Sequence, residues 1–185
     1  RHAERVQLFV ERLRDRGEVY LGIYRGPYCP SCEEFKQEKE LIEGMCPIHG
    51  IPVEYLEEEN YFFPLSKYQD RLLELYEEHP TFVMPQSRRN EILAFVRGGL
   101  QDLSISRTGT DWGIPLPWDD RHVIYVWVDA LLNYATAVGF GTGAPFFDEV
   151  WPPDTQIVGK DITRFHAVIW PALLMAAGLE VPRVV

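Results

Sequence analysis

The stretch Ile157-Val158-Gly159-Lys160-Asp161-Ile162-Thr163-Arg164-Phe165-His166 decides the fold class of this chain. Its apolar start predicts a buried strand over 156–158 that stops at Gly159 and turns into a helix over about 162–177. A glycine at that corner lets a ligand approach the backbone closely. Asp161 falls where the helix begins, so a carboxylate and unpaired backbone N–H groups share one place. Together these features predict a ligand-binding strand end of an open α/β sheet.

A second unit of the same kind lies just upstream. The apolar run over 122–128 predicts a strand buried on both faces, as in parallel sheets, followed by a helix from an N-cap at Asp129 to Val138. If the two strands are neighbours, their carboxyl ends lie at the same edge of the sheet. The side chains that would converge there are Trp127, Ala130, Leu131, Tyr134, Ile162 and His166. This set suits an unbranched apolar side chain, and a thioether would gain from the aromatic contacts.

Two Cys-x2 pairs predict a metal site. Cys29-Pro30-Ser31-Cys32 and Cys46-Pro47-Ile48-His49 are separated by 13 residues, and they use all three cysteines of the chain. Each knuckle aims two ligands at one centre, so two knuckles complete a tetrahedral zinc site. Because all the positions in its coordination shell are protein ligands, the zinc is expected to be structural. Disulfides are disfavoured because three cysteines cannot pair evenly, and the site implies a reducing, cytoplasmic setting.

Composition sets further bounds on the protein. The chain has 185 residues, of which 46% are hydrophobic, and a net charge of −10. That is enough for a packed core, whereas the charge opposes nucleic-acid binding by the chain as a whole. No segment approaches the roughly 20 apolar residues that span a bilayer, so no membrane contact is expected. The chain opens at Arg1 and closes on an apolar run, and we expect it to be an internal fragment of a longer protein.

The rest of the chain is predicted to be a mixture of helices and strands. Val6, Phe9, Val10 and Leu13 mark one face of a helix over 2–16. Alternation predicts a strand over 18–24, and a further helix is expected over about 88–97. Pro171 should kink or break the last helix near Trp170.

Several motifs give the chain a family resemblance. They include Tyr28-Cys29-Pro30-Ser31-Cys32-Glu33, Glu58-Glu59-Asn60-Tyr61-Phe62-Phe63, Leu100-Gln101-Asp102-Leu103-Ser104-Ile105-Ser106-Arg107, Trp112-Gly113-Ile114-Pro115 and Tyr125-Val126-Trp127-Val128-Asp129-Ala130, besides the opening stretch. In this order they resemble the methionyl-tRNA synthetases, a family of class I aminoacyl-tRNA synthetases, over almost the whole chain.

The resemblance implies an architecture and a site. The fold would be α/β, part of a Rossmann-type parallel sheet with helices, interrupted by a zinc-binding connective insertion. Residues 1–18 and 119–185 would belong to the Rossmann domain, and 19–118 to the insertion, with its zinc knuckle at about 25–50. The six convergent side chains would bind methionine, and Gly159 and Asp161 would meet the ribose of ATP or of the adenylate. One departure is Leu131, where many members have proline.

The implied activity is ATP-dependent activation of methionine and its transfer to tRNA(Met), with Mg²⁺ accompanying ATP. The family's His-Ile-Gly-His and Lys-Met-Ser-Lys-Ser motifs, which handle phosphates, do not occur in these residues, and the anticodon-binding domain is also missing. No catalytic residue is therefore expected within this chain, and we expect the isolated chain to be inactive. Two alternatives remain open from sequence: a zinc-knuckle module that binds nucleic acid or protein, and another class I synthetase. The oligomeric state is not predicted.

Overall fold

The computed structural model describes residues 2–31, 34–36, 38–108, 110 and 112–185, without the side chains of residues 34, 35 and 39. Its helices are α1 (His2–Asp15), α2 (Gln69–Glu78), α3 (Gln86–Arg97), α4 (Val126–Ala137), α5 (Pro145–Val150) and α6 (Trp170–Ala177). Its strands are β1 (Tyr20–Cys29), β2 (Glu34–Phe35), β3 (Glu54–Phe63), β4 (Leu103–Ser104), β5 (Ser106–Arg107), β6 (Pro115–Leu116) and β7 (Asp119–Ile124). The described chain is therefore a mixed α/β fold. None of these helices is both long and apolar enough to cross a bilayer.

The core forms around α1, as its sequence pattern predicts. Val6, Phe9, Val10 and Leu13 are all fully buried, which confirms the apolar face of this helix. They belong to one hydrophobic cluster that extends to α4 and α6. Each such side chain contributes roughly 1.5–3 kcal/mol on burial, so this face fixes α1 against the later helices.

The first sheet is a long antiparallel ribbon with short edges, in the order β2-β1-β3-β4. β1 and β3 pair from Tyr20 opposite Phe62 to Tyr28 opposite Glu54, so the predicted strand over 18–24 is wrong in extent. The rings of Tyr20 and Tyr24 stack with Phe62 at centroid distances of 5.5 and 6.4 Å. These aromatic contacts stabilise the base of the ribbon.

The second sheet has the order β5-β7-β6 and is also antiparallel. A buried polar contact joins it to the first sheet. The backbone N–H of Tyr61, on β3, donates to Ser106 Oγ at 2.8 Å, and this hydroxyl lies 3.0 Å from Nδ1 of the buried His122. Because all three groups are partnered, the junction carries little desolvation cost.

The predicted strand over 122–128 is wrong at its carboxyl end. β7 stops at Ile124, and α4 begins at Val126 with Tyr125 as its N-cap, so Trp127 lies on the helix and Asp129 in its first turn. The Tyr125 N–H still donates to the carbonyl of Ile105, after which the Val128 and Asp129 N–H groups turn back onto the Tyr125 carbonyl. A continuous apolar run fits the end of a strand and the start of a buried helix equally well, which explains the error.

The predicted strand over 156–158 and its parallel partner are not found in the described ranges, where both sheets are antiparallel. Gln156 makes one backbone bond, to the carbonyl of Val184, and Ile157 is 95% exposed. With no neighbouring strand to bond, the segment has no ladder and is not a strand.

The helix predicted over about 162–177 is helical throughout but contains turns of three types. A 3₁₀ turn covers Lys160–Ile162, a π-helical turn covers Phe165–Ile169, and α6 starts at Trp170. Instead of a break near Trp170, the helix changes there from a π to an α turn without leaving the helical conformation. Pro171 accounts for this change, since proline has no N–H for the helix and its ring crowds the preceding turn.

Candidate functional site

Four of the predicted site residues lie along one face of α4. Trp127, Ala130, Leu131 and Tyr134 occupy positions i, i+3, i+4 and i+7 of this helix. Leu131 is 1% exposed and belongs to the core, whereas the other three are half-buried. The face therefore has one residue inside the protein and three at its boundary.

Tyr134 and His166 are brought together across 32 residues. The Tyr134 hydroxyl lies 2.8 Å from His166 Nε2, and His166 Nδ1 lies 2.9 Å from the carbonyl oxygen of Ile162. A carbonyl can only accept, so Nδ1 carries the imidazole proton and Nε2 accepts the hydroxyl proton of Tyr134. Three of the predicted residues thus form one hydrogen-bonded set with defined proton positions.

Trp127 makes its ring contact with a residue that the sequence analysis did not single out. The rings of Trp127 and Phe165 stack with centroids 4.1 Å apart and planes 18° apart. Phe165 immediately precedes His166, so one turn supplies a ring to Trp127 and an imidazole to Tyr134. The signal that could have identified Phe165 is its position three residues after Ile162, on the predicted helix face.

A cleft of about 1370 Å³ opens between the β1–β3 ribbon and the start of α4. Of the predicted methionine-pocket residues only Trp127 is among its lining residues, and its ring partner Phe165 also lines it. Arg107 also lines it, with its guanidinium 4.1 Å from the centre of the Tyr125 ring. The cleft exceeds the roughly 300–1,000 Å³ of a typical small-molecule pocket, so it has room for more than one small ligand group.

Gly159 and Asp161 lie beside this region but outside the cleft. Both are exposed, at the N-cap and in the first turn of the 3₁₀ segment. No atom lies within 4 Å of the place where a Cβ on Gly159 would be, so the backbone there is open to a ligand. The open corner and the free-standing carboxylate are compatible with a polar ligand group.

Three of the predicted metal ligands lie together. The ligand atoms of Cys29, Cys46 and His49 are all within 4.8 Å of one another. His49 Nδ1 is 3.8 Å from Cys29 Sγ and 3.9 Å from Cys46 Sγ, close to the roughly 3.6 Å that tetrahedral zinc with ordinary bond lengths requires. The fourth predicted ligand, Cys32, lies outside the described residues. The donor set therefore fits a metal ion.

Local backbone geometry builds this cluster. The Cys46 N–H donates to Ile51, and the Gly50 N–H donates back to the Cys46 carbonyl, with Gly50 at φ +63°, which glycine adopts without steric cost. Burial opposes ionisation of the Cys46 thiol. Hydrogen bonds from the backbone of His49 and Ile48 and from the His49 ring outweigh it and lower the thiol's pKa to about 6. A thiolate at neutral pH is the form that binds a metal.

Comparison with known proteins shows the class of protein to which the chain is similar. The sequence matches the family described as "tRNA synthetases class I (M)" over residues 1–55 and 37–185. The fold agrees: the structure of Mycobacterium tuberculosis methionyl-tRNA synthetase in complex with methionyl-adenylate matches with a TM-score of 0.91 and 48% identity, over 99% of this chain and 37% of that chain. These matches are those of a class I tRNA synthetase.

Similar sequences show the family within this class to which the chain belongs. Methionine–tRNA ligase of Streptomyces coelicolor is 60% identical over 98% of this chain and 35% of its own length. That of Thermotoga maritima is 53% identical over 98% of this chain and 30% of its own length. The chain belongs to the M family of class I tRNA synthetases and spans about a third of the length of these relatives.

Proposed function

We propose that the protein to which this chain belongs is a methionine–tRNA ligase, which activates methionine with ATP and transfers it to tRNA(Met). The observation that carries the proposal is the pairing of two contacts on one turn. Phe165 stacks on Trp127, and His166 bonds to Tyr134. These contacts place aromatic rings beside one hydrogen-bonded polar pair, and both suit the side chain of methionine, whose sulfur is a weak acceptor on a flexible stem.

In this proposal, Trp127, Ala130, Leu131, Tyr134, Ile162 and His166 bind methionine. Trp127 provides an aromatic face for the thioether and can swing to close over it. Tyr134 and His166 provide the polar end, and the hydroxyl proton of Tyr134 can rotate from Nε2 to the ligand sulfur. Leu131 shapes the pocket wall from the core side. The match to the Mycobacterium tuberculosis structure in complex with methionyl-adenylate supports this assignment.

Gly159 and Asp161 are proposed to meet the ribose of ATP or the adenylate. A carboxylate accepts from the two ribose hydroxyls, and the open space at Gly159 lets the nucleotide approach the backbone. Mg²⁺ would accompany ATP, but no residue of the described ranges is assigned to it. The chemistry itself requires positioning and charge stabilisation around the α-phosphate, which we assign to parts of the protein outside this chain.

The proposed domain boundaries fall at residues 18 and 118, and the second boundary lies between β6 and β7 of the second sheet. Residues 1–18 and 119–185 would form part of a Rossmann-type catalytic domain, and residues 19–118 a connective insertion. The 95% exposure of Ile157 is what a strand over 156–158 would show before further chain packs over that face of the sheet. Cys29, Cys32, Cys46 and His49 would hold a structural zinc, which cross-links the tip of the insertion in a cytoplasmic protein.

The test is amino-acid-dependent ATP–pyrophosphate exchange by the full-length protein. Methionine should support exchange with a kcat/KM at least about tenfold above that of leucine or isoleucine, as shape discrimination in an apolar pocket allows. Equal use of another amino acid would indicate a different class I synthetase. Absence of exchange, together with RNA binding in a titration, would instead indicate a zinc-knuckle binding module.

A further inference from the structure

One buried carbonyl group behind the site has an unusual partner. In a regular α-helix the carbonyl of Ala167 would accept from the N–H of residue 171, but that residue is proline and has none. The hydroxyl of Tyr76 donates to this carbonyl instead, at 2.6 Å. Tyr76 is 1% exposed and Ala167 fully buried, so no water replaces this bond from the surface.

The turn that contains Ala167 is the one that carries the proposed pocket residues. It is π-helical over Phe165–Ile169, and the N–H of Trp170 reaches back five residues to the carbonyl of Phe165. A π turn holds one more residue than an α turn, so it changes the direction of the side chains before it. Phe165 and His166 both lie in this turn and contact α4, at Trp127 and Tyr134.

Tyr76 is held firmly enough to act as a fixed support. It lies on α2 with its ring 5.8 Å from that of Phe82, and its own carbonyl accepts from Arg89 at 2.8 Å. Burial raises the pKa of Tyr76, so its hydroxyl keeps the proton that it donates. A rigid donor on α2 therefore bonds directly to the turn opposite α4.

We propose that Tyr76 and Pro171 are positioning residues that hold the 165–169 turn in its π-helical form and so set Phe165 and His166 against α4. Pro171 removes the N–H that would close an ordinary α turn, and the Tyr76 hydroxyl satisfies the carbonyl that this leaves. Neither residue contacts the ligand. The inference rests on the proposed function, since it assigns methionine affinity to a bond made on the far side of the turn.

The first test is Tyr76→Phe in the full-length protein, a change that removes one oxygen atom and keeps the ring. Loss of this bond leaves a buried acceptor unpaired, which is expected to raise KM for methionine by about tenfold. KM for ATP should stay within about twofold. The matched control is Tyr68→Phe, another buried tyrosine, whose ring stacks on Phe63 away from the turn. Equal shifts in both variants, or an unchanged methionine KM in Tyr76→Phe, would overturn the inference.

The second test asks whether Tyr76 acts through the Ala167 carbonyl. Deuterium uptake by the peptide covering 163–172 should rise about tenfold in Tyr76→Phe. In a Pro171→Ala background the new N–H can bond to this carbonyl, so the same change should raise uptake less than twofold. If Tyr76→Phe raised deuterium uptake equally with and without Pro171→Ala, the Tyr76 hydroxyl would not act through the Ala167 carbonyl.

The two proposals fail in different ways. If the wild-type protein shows no methionine-dependent exchange, the proposed function is wrong, and the assignment of methionine affinity to Tyr76 is wrong with it. If the wild-type protein uses methionine but Tyr76→Phe leaves its KM unchanged, the proposed function stands and only the positioning role is wrong.

Discussion

The hydroxyl of Tyr134 and Nε2 of His166 lie 2.8 Å apart, although 32 residues separate them in sequence. His166 is 3% exposed, and its other nitrogen is bonded to the carbonyl of Ile162. The imidazole is therefore fixed at both ends, and its proton is assigned to Nδ1 because a carbonyl cannot donate. The pair presents a fixed acceptor and one rotatable hydroxyl proton to a ligand.

Replacing Tyr134 with phenylalanine should raise KM for methionine by roughly fivefold to a hundredfold in the full-length protein. The change removes the hydroxyl proton and leaves Nε2 of the buried His166 without its partner. Initial rates of ATP–pyrophosphate exchange at varied methionine measure it. Tyr55→Phe is the control, since that tyrosine is 67% exposed on β3. Equal KM values for the two variants would contradict the assigned role.

Loss of the Trp127 ring should weaken methionine binding more than ATP binding. Trp127→Ala removes a ring that stacks on Phe165 at 4.1 Å, and aromatic pairs of this kind are worth about 0.5–1.5 kcal/mol beyond their buried area. We expect KM for methionine to rise about tenfold and KM for ATP to change less than threefold. Phe146→Ala, at an exposed phenylalanine, is the control. Parallel losses in both affinities would argue against a pocket role for Trp127.

Removal of the metal should open the loops between residues 25 and 50 and leave the helical core intact. These loops contribute Cys29 and Cys46 to the buried set but lie outside the main hydrophobic cluster, so the metal replaces a core there. Limited proteolysis after strong chelation should give new cuts within 25–50, while far-ultraviolet circular dichroism keeps its helical signal. Cys46→Ser should show the same cuts without chelator. An unchanged cleavage pattern in both experiments would refute this prediction.

The Cys46 thiol should titrate near pH 6 in the metal-free folded protein. Its hydrogen bonds lower the pKa from the usual value of 9 to about 6. Because the thiol ionises more easily in the folded than in the unfolded state, its ionisation stabilises the fold. This stabilisation is complete above pH 9 and is lost as the pH falls through about 6. The difference in thiolate ultraviolet absorbance between the wild type and Cys46→Ser, followed from pH 4 to 10, locates the midpoint. A midpoint near 9 would show that the knuckle bonds are absent without metal.

The buried Ser106 hydroxyl should matter for stability more than for substrate affinity. Ser106→Ala leaves both the Tyr61 N–H and Nδ1 of His122 without their partner inside the protein. The expected loss is about 1–3 kcal/mol in unfolding free energy for an unpaired buried group, seen as a lower denaturant midpoint. Ser87→Ala, at an exposed serine of α3, should change the midpoint little. If both variants lowered the denaturant midpoint equally, the Ser106 contacts would have no particular role in stability.

Local patterns were the ones that sequence predicted well. The apolar face of α1 is a short-range periodicity, and all four of its predicted core residues are buried. The cluster of Cys29, Cys46 and His49 was predicted from spacing, since a knuckle is a property of a few consecutive residues. Pro171 marked the place where the helix departs from regular α geometry, although the turn changes type there and the helix does not break.

Contacts between distant elements could not be predicted in the same way. The run over 122–128 was assigned to one strand because its composition does not mark the change of backbone at Tyr125. The stack of Phe165 on Trp127 depends on how the 165–169 turn meets α4, which no single segment encodes. The bond from Tyr76 to Ala167 spans 91 residues and becomes visible only when both partners are placed in three dimensions.

The β1–β3 ribbon has a mechanical consequence. Its pairing runs from Tyr20 at the base to Tyr28 near the Cys29 thiol, a span of roughly 27 Å at 3.4 Å per residue. A rotation of the ribbon by about 10° about its base, at the stacked rings around Phe62, would move the end near Cys29 by roughly 5 Å. Motions too small to disturb the helical core are thereby amplified at the far end of the ribbon.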